Sequence, residues 1–110
     1  MIEVACLIVI KKNDKLFVDQ VRIDLLLLIH ETGSLQAASR KLEISYQHAW
    51  NIIKEMNSLS DTPLVVKQRG GVNGGGTSLT PSALRVIDEY QQINKQAQAF
   101  TRKINAEINM

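Results

Sequence analysis

The stretch GSLQAASRKLEISYQHAWNIIKEMNSL, residues 33–59, decides the fold. It holds two short segments with apolar residues at helical spacing, joined by very few residues. Gly33 tolerates positive φ and ends whatever helix precedes it. Ser34 is a good N-cap for a first helix through Leu42, whose buried side carries Leu35, Ala38 and Leu42. Ser45 caps a second helix running to about Leu59. Glu43 and Ile44 leave room only for a tight turn, and two helices so joined form a helix-turn-helix arrangement.

Winding the second helix at about 100° per residue sorts its side chains. Ala49, Ile52, Ile53 and Met56 fall on one side, the pattern of a core-facing stripe. Gln47, Asn51 and Lys54 fall opposite, with Tyr46 and Trp50 on the shoulder and no acid before Glu55. Amides can pair with adenine in a major groove, Lys reaches guanine or phosphate, and an aromatic edge packs on a thymine methyl. The first turns of such a helix meet the base edges, so Gln47, Trp50 and Asn51 are the expected readers. The plain alternative is an ordinary solvated helix face.

Downstream, residues 63–69 (PLVVKQR) read as a strand and residues 77–79 (TSL) as its antiparallel return. Five of the six glycines fall between Gly70 and Gly76, which predicts an exposed, mobile hairpin tip. Lys67 and Arg69 enter that tip, and Asn73, Thr77 and Ser78 sit on or after it. A basic, glycine-rich hairpin behind a helix-turn-helix is a wing, able to meet phosphates through side chains and backbone amides. Arg40 and Lys41 end the first helix of the motif and can hold a further phosphate. The DNA-binding set expected is Ser34, Arg40, Ser45, Tyr46, Gln47, Trp50, Asn51, Lys54, Lys67, Arg69, Asn73 and Thr77. Against Arg40, Lys41, Lys54, Lys67 and Arg69 stand Glu43, Glu55 and Asp61, so one copy carries little excess charge and two copies are needed.

The flanks complete one domain over residues 1–110. Residues 2–10 are rich in Val and Ile and are read as a strand, residues 11–15 as a polar turn, and LFV as a return strand. A helix is expected from about Asp19 to Glu31, with Val21, Leu25, Leu28 and Ile29 at helical spacing and Leu26 and Leu27 making it apolar nearly all round, at the centre of the core. Thr80 and Pro81 open a long last helix as N-cap and first-turn proline. Along it Val86, Tyr90, Ile93, Ala97, Phe100 and Ile104 alternate steps of four and three, a seam suited to a second copy. Leu84 and Ile87 are assigned to the domain core. The competing reading packs the seam on the N-terminal strand. A twofold dimer would set two reading helices about 34 Å apart.

Composition is that of a folded domain: 45% hydrophobic, 22% charged, net charge +2. No stretch approaches the roughly 20 apolar residues of a membrane span. The lone Cys6 forms no internal disulfide and lies in an apolar run, which fits a reducing, cytoplasmic setting. Nothing suggests an enzyme. GVNGGGTS, residues 71–78, has the glycines of a phosphate loop, but Thr77 stands where the lysine belongs and a strand follows. His30, His48 and one Cys make no metal site, and no cofactor is implied. The main rival is a winged helix that binds a partner protein instead of DNA.

Two signatures, ISY..AW..I.EMN.LS over residues 44–60 and GG..GGG..LT over residues 70–80, resemble the N-terminal DNA-binding domain of the ModE family. Those are molybdate-responsive bacterial transcription regulators. GSLQAAS and LTP are more loosely similar to the LysR-type winged helix-turn-helix. The resemblance implies a mainly α fold with a small β-sheet: N-terminal strand, helix-turn-helix (about 34–59), β-hairpin wing (about 64–79) and long dimerisation helix (about 81–107). It also implies a homodimer that binds double-stranded operator DNA through the second helix and the wing. Full-length family members carry an oxyanion-binding region after this domain. No SARNQ-like pattern occurs in these 110 residues, so molybdate binding is not expected of this chain.

Overall fold

A computed structural model describes residues 1–68 and 76–110. The element order is β1 (Ile10–Lys12), β2 (Lys15–Val18), α1 (Gln20–Thr32), α2 (Leu35–Lys41), α3 (Tyr46–Leu59), β3 (Val65–Lys67), β4 (Thr77–Leu79) and α4 (Pro81–Glu107). The mainly helical architecture with small antiparallel hairpins and a long last helix is the one the sequence implies.

Each helix starts where a short polar side chain can satisfy an otherwise orphan amide. Asp19, Ser34, Ser45 and Thr80 accept from the backbone N–H of Arg22, Ala37, His48 and Ala83 respectively. Gly33 ends α1 at φ 69°, and its N–H donates to the Ile29 carbonyl at 2.8 Å. The turn from α2 to α3 is tight enough to put Glu43 at φ 58°, in the left-handed region.

The core gathers one face of every helix: Ile23, Leu25, Leu26 and Ile29 of α1, Leu35 and Ala38 of α2, Ala49, Ile52, Ile53 and Met56 of α3, and Ala83, Ile87 and Tyr90 of α4. Each fully buried Leu or Ile contributes on the order of 2 kcal/mol. The stripe on α3 is the one its periodicity predicts. On α1, Leu25 and Ile29 of the four residues at helical spacing are buried and the other two are not. Val21 is 51% exposed and Leu28 only half-buried, while Arg22 and Ile23 are buried. A helix apolar on nearly every side has little amphipathic contrast, so its neighbours and not its pattern choose the inward face. Arg22 is accommodated because its guanidinium donates to Glu55 of α3 at 2.5 Å and to the Leu16 carbonyl at 3.3 Å. That pair fastens α1 to α3.

The N-terminal expectation needs correction. Among the described residues, 1–9 pair with no strand, and β1 begins at Ile10, the last residue of the predicted strand. The predicted polar turn shrinks to Asn13 and Asp14, both at positive φ, as a two-residue hairpin loop demands. Residues 4–9 instead lie along α4. Asn105 bonds both the N–H (2.7 Å) and the carbonyl (3.0 Å) of Val4, and Gln98 donates to the Cys6 carbonyl at 3.2 Å. These amides take the place of a neighbouring strand. Val4, Cys6 and Ile8 are half-buried and Leu7 and Val9 exposed, so the period of two survives without a sheet.

At about 1.5 Å per residue, α4 is roughly 40 Å long, and the molecule's longest dimension is 59 Å. No described helix is long and apolar enough to cross a membrane.

Candidate nucleic-acid interface

The outward face of α3 lies open. Ser45, Tyr46, Gln47, His48, Asn51 and Lys54 are all exposed. Ser45 spends its hydroxyl on the His48 amide at 3.0 Å, so it acts first as a cap. Gln47 Nε2 donates to Asn51 Oδ1 at 3.0 Å, one turn further along the same face. Glu55, the only acid on the helix, turns to Arg22. From Tyr46 to Lys54, two and a half turns, the face therefore presents amides, a phenol, an imidazole and a cation, with no carboxylate among them.

Trp50 departs from the reader's role. It is half-buried, packs against the core, and carries the Lys67 ammonium 4.3 Å from its ring centroid. An indole placed this way is a platform joining α3 to β3, and the attraction between cation and ring steadies Lys67 beside the helix.

The two wing strands pair antiparallel, as expected, with Val65 opposite Leu79 and Lys67 opposite Thr77. Asn57 sets where β3 starts. Its Oδ1 accepts from the N–H of Leu64 (2.8 Å) and Val65 (3.3 Å), and its Nδ2 donates to the Val65 carbonyl at 3.0 Å. The other strand is tied to the helix-turn-helix. The Thr77 N–H donates to the Gly33 carbonyl at 3.0 Å, and its hydroxyl accepts from the Leu35 N–H at 3.3 Å. Thr77 is thus buried and structural, not exposed for DNA as its place after the glycines suggested. Gly76 lies so near that a Cβ there would meet the Gly33 carbonyl oxygen at 3.1 Å. Neither the Asn57 nor the Arg22 brace has a periodic signal that would reveal it in advance.

Of the remaining expected contacts, Ser34 is half-buried and caps α2, and Arg40 is exposed at that helix's end. Lys41 sits 3.6 Å from Glu31 in an exposed ion pair. Arg69, Asn73 and the glycine-rich tip up to Gly75 lie outside the described residues. Lys67 is exposed, so α3 and β3 bring Gln47, Asn51, Lys54 and Lys67 onto solvent-facing ground in one region.

The seam read along α4 splits. Tyr90 is 2% exposed and Val86 packs on the core, so both serve the core of the single chain, with the Tyr90 hydroxyl donating to Gln20 at 3.3 Å. Ala97 and Ile104 are half-buried on the part of α4 followed by the N-terminal segment. Ile93 and Phe100 are 43% and 58% exposed, and Leu84, expected in the core, is 44% exposed. The single seam is in fact two neighbouring rows, which steps of three and four cannot separate. Among the described residues no group of His, Cys, Asp and Glu is placed to hold a metal.

Comparison with known proteins agrees with this geometry. The chain is 39% identical over 95 residues to the transcriptional regulator ModE of Haemophilus influenzae, covering 86% of this chain and 37% of that protein. It is 41% identical over 95 residues to the DNA-binding transcriptional dual regulator ModE of Escherichia coli K12, covering 86% and 36%. The chain thus spans little more than a third of the length of these relatives. Among solved structures, a point mutant of Lactococcus lactis ZitR superposes with a TM-score of 0.59 at 16% identity, over 99% of this chain and 71% of that one, and so shares the fold. Residues 21–84, from α1 through the wing to the start of α4, match the model of a regulatory and not an enzymatic family, so the chain belongs to the bacterial regulatory helix-turn-helix proteins of the lysR family.

Proposed function

We propose that this chain is the DNA-binding part of a ModE-like transcription regulator, acting in the cytoplasm as a homodimer on double-stranded operator DNA. The observation that carries the reading is the outer face of α3 ahead of Glu55, without a carboxylate and open to solvent beside the Lys67 side chain. In a major groove that face would bring Tyr46, Gln47, Asn51 and Lys54 to base edges and phosphates. Lys67, and Arg69 beyond it, would contact the backbone and set register without reading sequence. Arg40 would add a phosphate contact from the end of α2.

Two copies would meet through the apolar residues that α4 leaves outside, Ile93 and Phe100, which a lone protomer has no use for. Doubling matters because a net charge of +2 gives one copy little hold on phosphate. The test is affinity for duplex DNA across a range of salt. Log affinity should fall against log salt by about 0.9 per phosphate neutralised. A protein-interaction module would bind no duplex, or bind it without preference for any sequence enriched from a random pool.

A further inference from the structure

Gln47 and Asn51 are hydrogen-bonded to each other on the open face of α3, through Gln47 Nε2 and Asn51 Oδ1 at 3.0 Å. We propose that the two amides read one adenine as a single unit, neither of them doing so alone. This rests on the DNA-binding role just proposed and narrows it to a base. The bond uses one donor and one acceptor, leaving the Gln47 Oε1 acceptor and the Asn51 Nδ2 donor for a ligand on two exposed residues. Adenine shows the complementary pair in the major groove, an N6–H donor beside the N7 acceptor. Gln47 Oε1 accepts from N6–H and Asn51 Nδ2 donates to N7.

The inference does not depend on which amide donates to the other. Rotating both by half a turn makes Asn51 the donor and Gln47 the acceptor. One carbonyl oxygen and one NH2 are still left for a ligand, and the target is still adenine. Guanine offers two acceptors, O6 and N7, so the remaining carbonyl would face O6 lone pairs with no proton between them. The unit therefore selects for adenine and against guanine. Mutual bonding also holds two otherwise free side chains in register before DNA arrives, which lowers the ordering cost of binding.

The experiment uses the full chain and a duplex enriched from a random library. Each adenine of the half-site is replaced in turn by guanine, with its partner base, and by 7-deazaadenine, which lacks the N7 acceptor. At one adenine, guanine should lower affinity by about tenfold to a hundredfold, and 7-deazaadenine by roughly fivefold, the loss of one hydrogen bond. Gln47→Ala and Asn51→Ala should each abolish that discrimination, and the double variant should lose no more than either single one. Because 7-deazaadenine leaves the protein untouched, misfolding of a variant cannot mimic the result. Sequence-selective binding with no adenine sensitive to replacement overturns the inference alone. So does an Asn51→Ala loss that Gln47→Ala does not share. Failure to bind any duplex overturns the DNA-binding role as well.

Discussion

The ammonium of Lys67 lies 4.3 Å from the centre of the Trp50 ring, so the wing strand and the helix before it are joined by a cation resting on an aromatic face. Removing the cation should change the indole's surroundings before any DNA is present. Lys67→Ala should shift the emission of Trp50, the only tryptophan. It should also weaken DNA binding alike for all sequences and flatten the salt slope by about 1, as losing one phosphate contact does. Steady-state fluorescence and anisotropy titrations check both parts.

Asn57 makes three hydrogen bonds to the backbone where β3 begins. Asn57→Ala leaves the amides of Leu64 and Val65, both buried residues, without that partner. The expected cost is about 2 kcal/mol, read by urea unfolding. Asn57→Asp keeps the acceptor and loses the donor, so its loss should be smaller.

Tyr90 makes the fold sensitive to alkali. Burial of the ring, and then the carboxylates of Asp19 and Asp24, raise its hydroxyl above the ordinary 10.0. Above that value the unfolded chain releases the proton while the folded chain keeps it. Stability is therefore unaffected at lower pH and falls as pH rises from the ordinary value through the raised one. Denaturation at a series of pH values should show this fall, and Tyr90→Phe should remove it.

Ile93 and Phe100 are exposed in the single chain, so changing them should spare the fold. Replacing both by Glu should convert a dimer to a monomer in sedimentation equilibrium with circular dichroism unchanged. DNA affinity should fall, because half of the paired phosphate contacts are lost. A wild-type chain that sediments as a monomer at working concentrations contradicts the dimer.

Much of this fold was legible in the chain because local chemistry agreed with it. Asp19, Ser34, Ser45 and Thr80 stand where helices begin, Gly33 where one ends, and the stripe from Ala49 to Met56 points inward as its period requires. What escaped the sequence depends on partners far along it. The alternation of residues 2–9 signals extended backbone but not its neighbour, which is a set of side chains on a helix about a hundred residues away. Thr77 follows a run of glycines and resembles a loop residue. Its burial comes from bonds to Gly33 and Leu35, which no local pattern encodes. Trp50 lies at the edge of the polar face, where a few degrees of helix rotation decide between groove and core. Its ring ends half-buried, packed on the core with Lys67 over it. On α4 the seam mixes inward and outward rows, since only packing distinguishes Tyr90 from Ile93.

DNA recognition by the outer face of α3 is tested most plainly by a map of backbone amide shifts, by nuclear magnetic resonance, as an enriched duplex is added to the full chain. The largest changes should cluster at Tyr46, Gln47, Asn51 and Lys54 on α3 and at Lys67 on β3, with the buried stripe of α3 little moved. Changes confined to α4 and the N-terminal segment, with the outer face of α3 silent, would contradict that recognition.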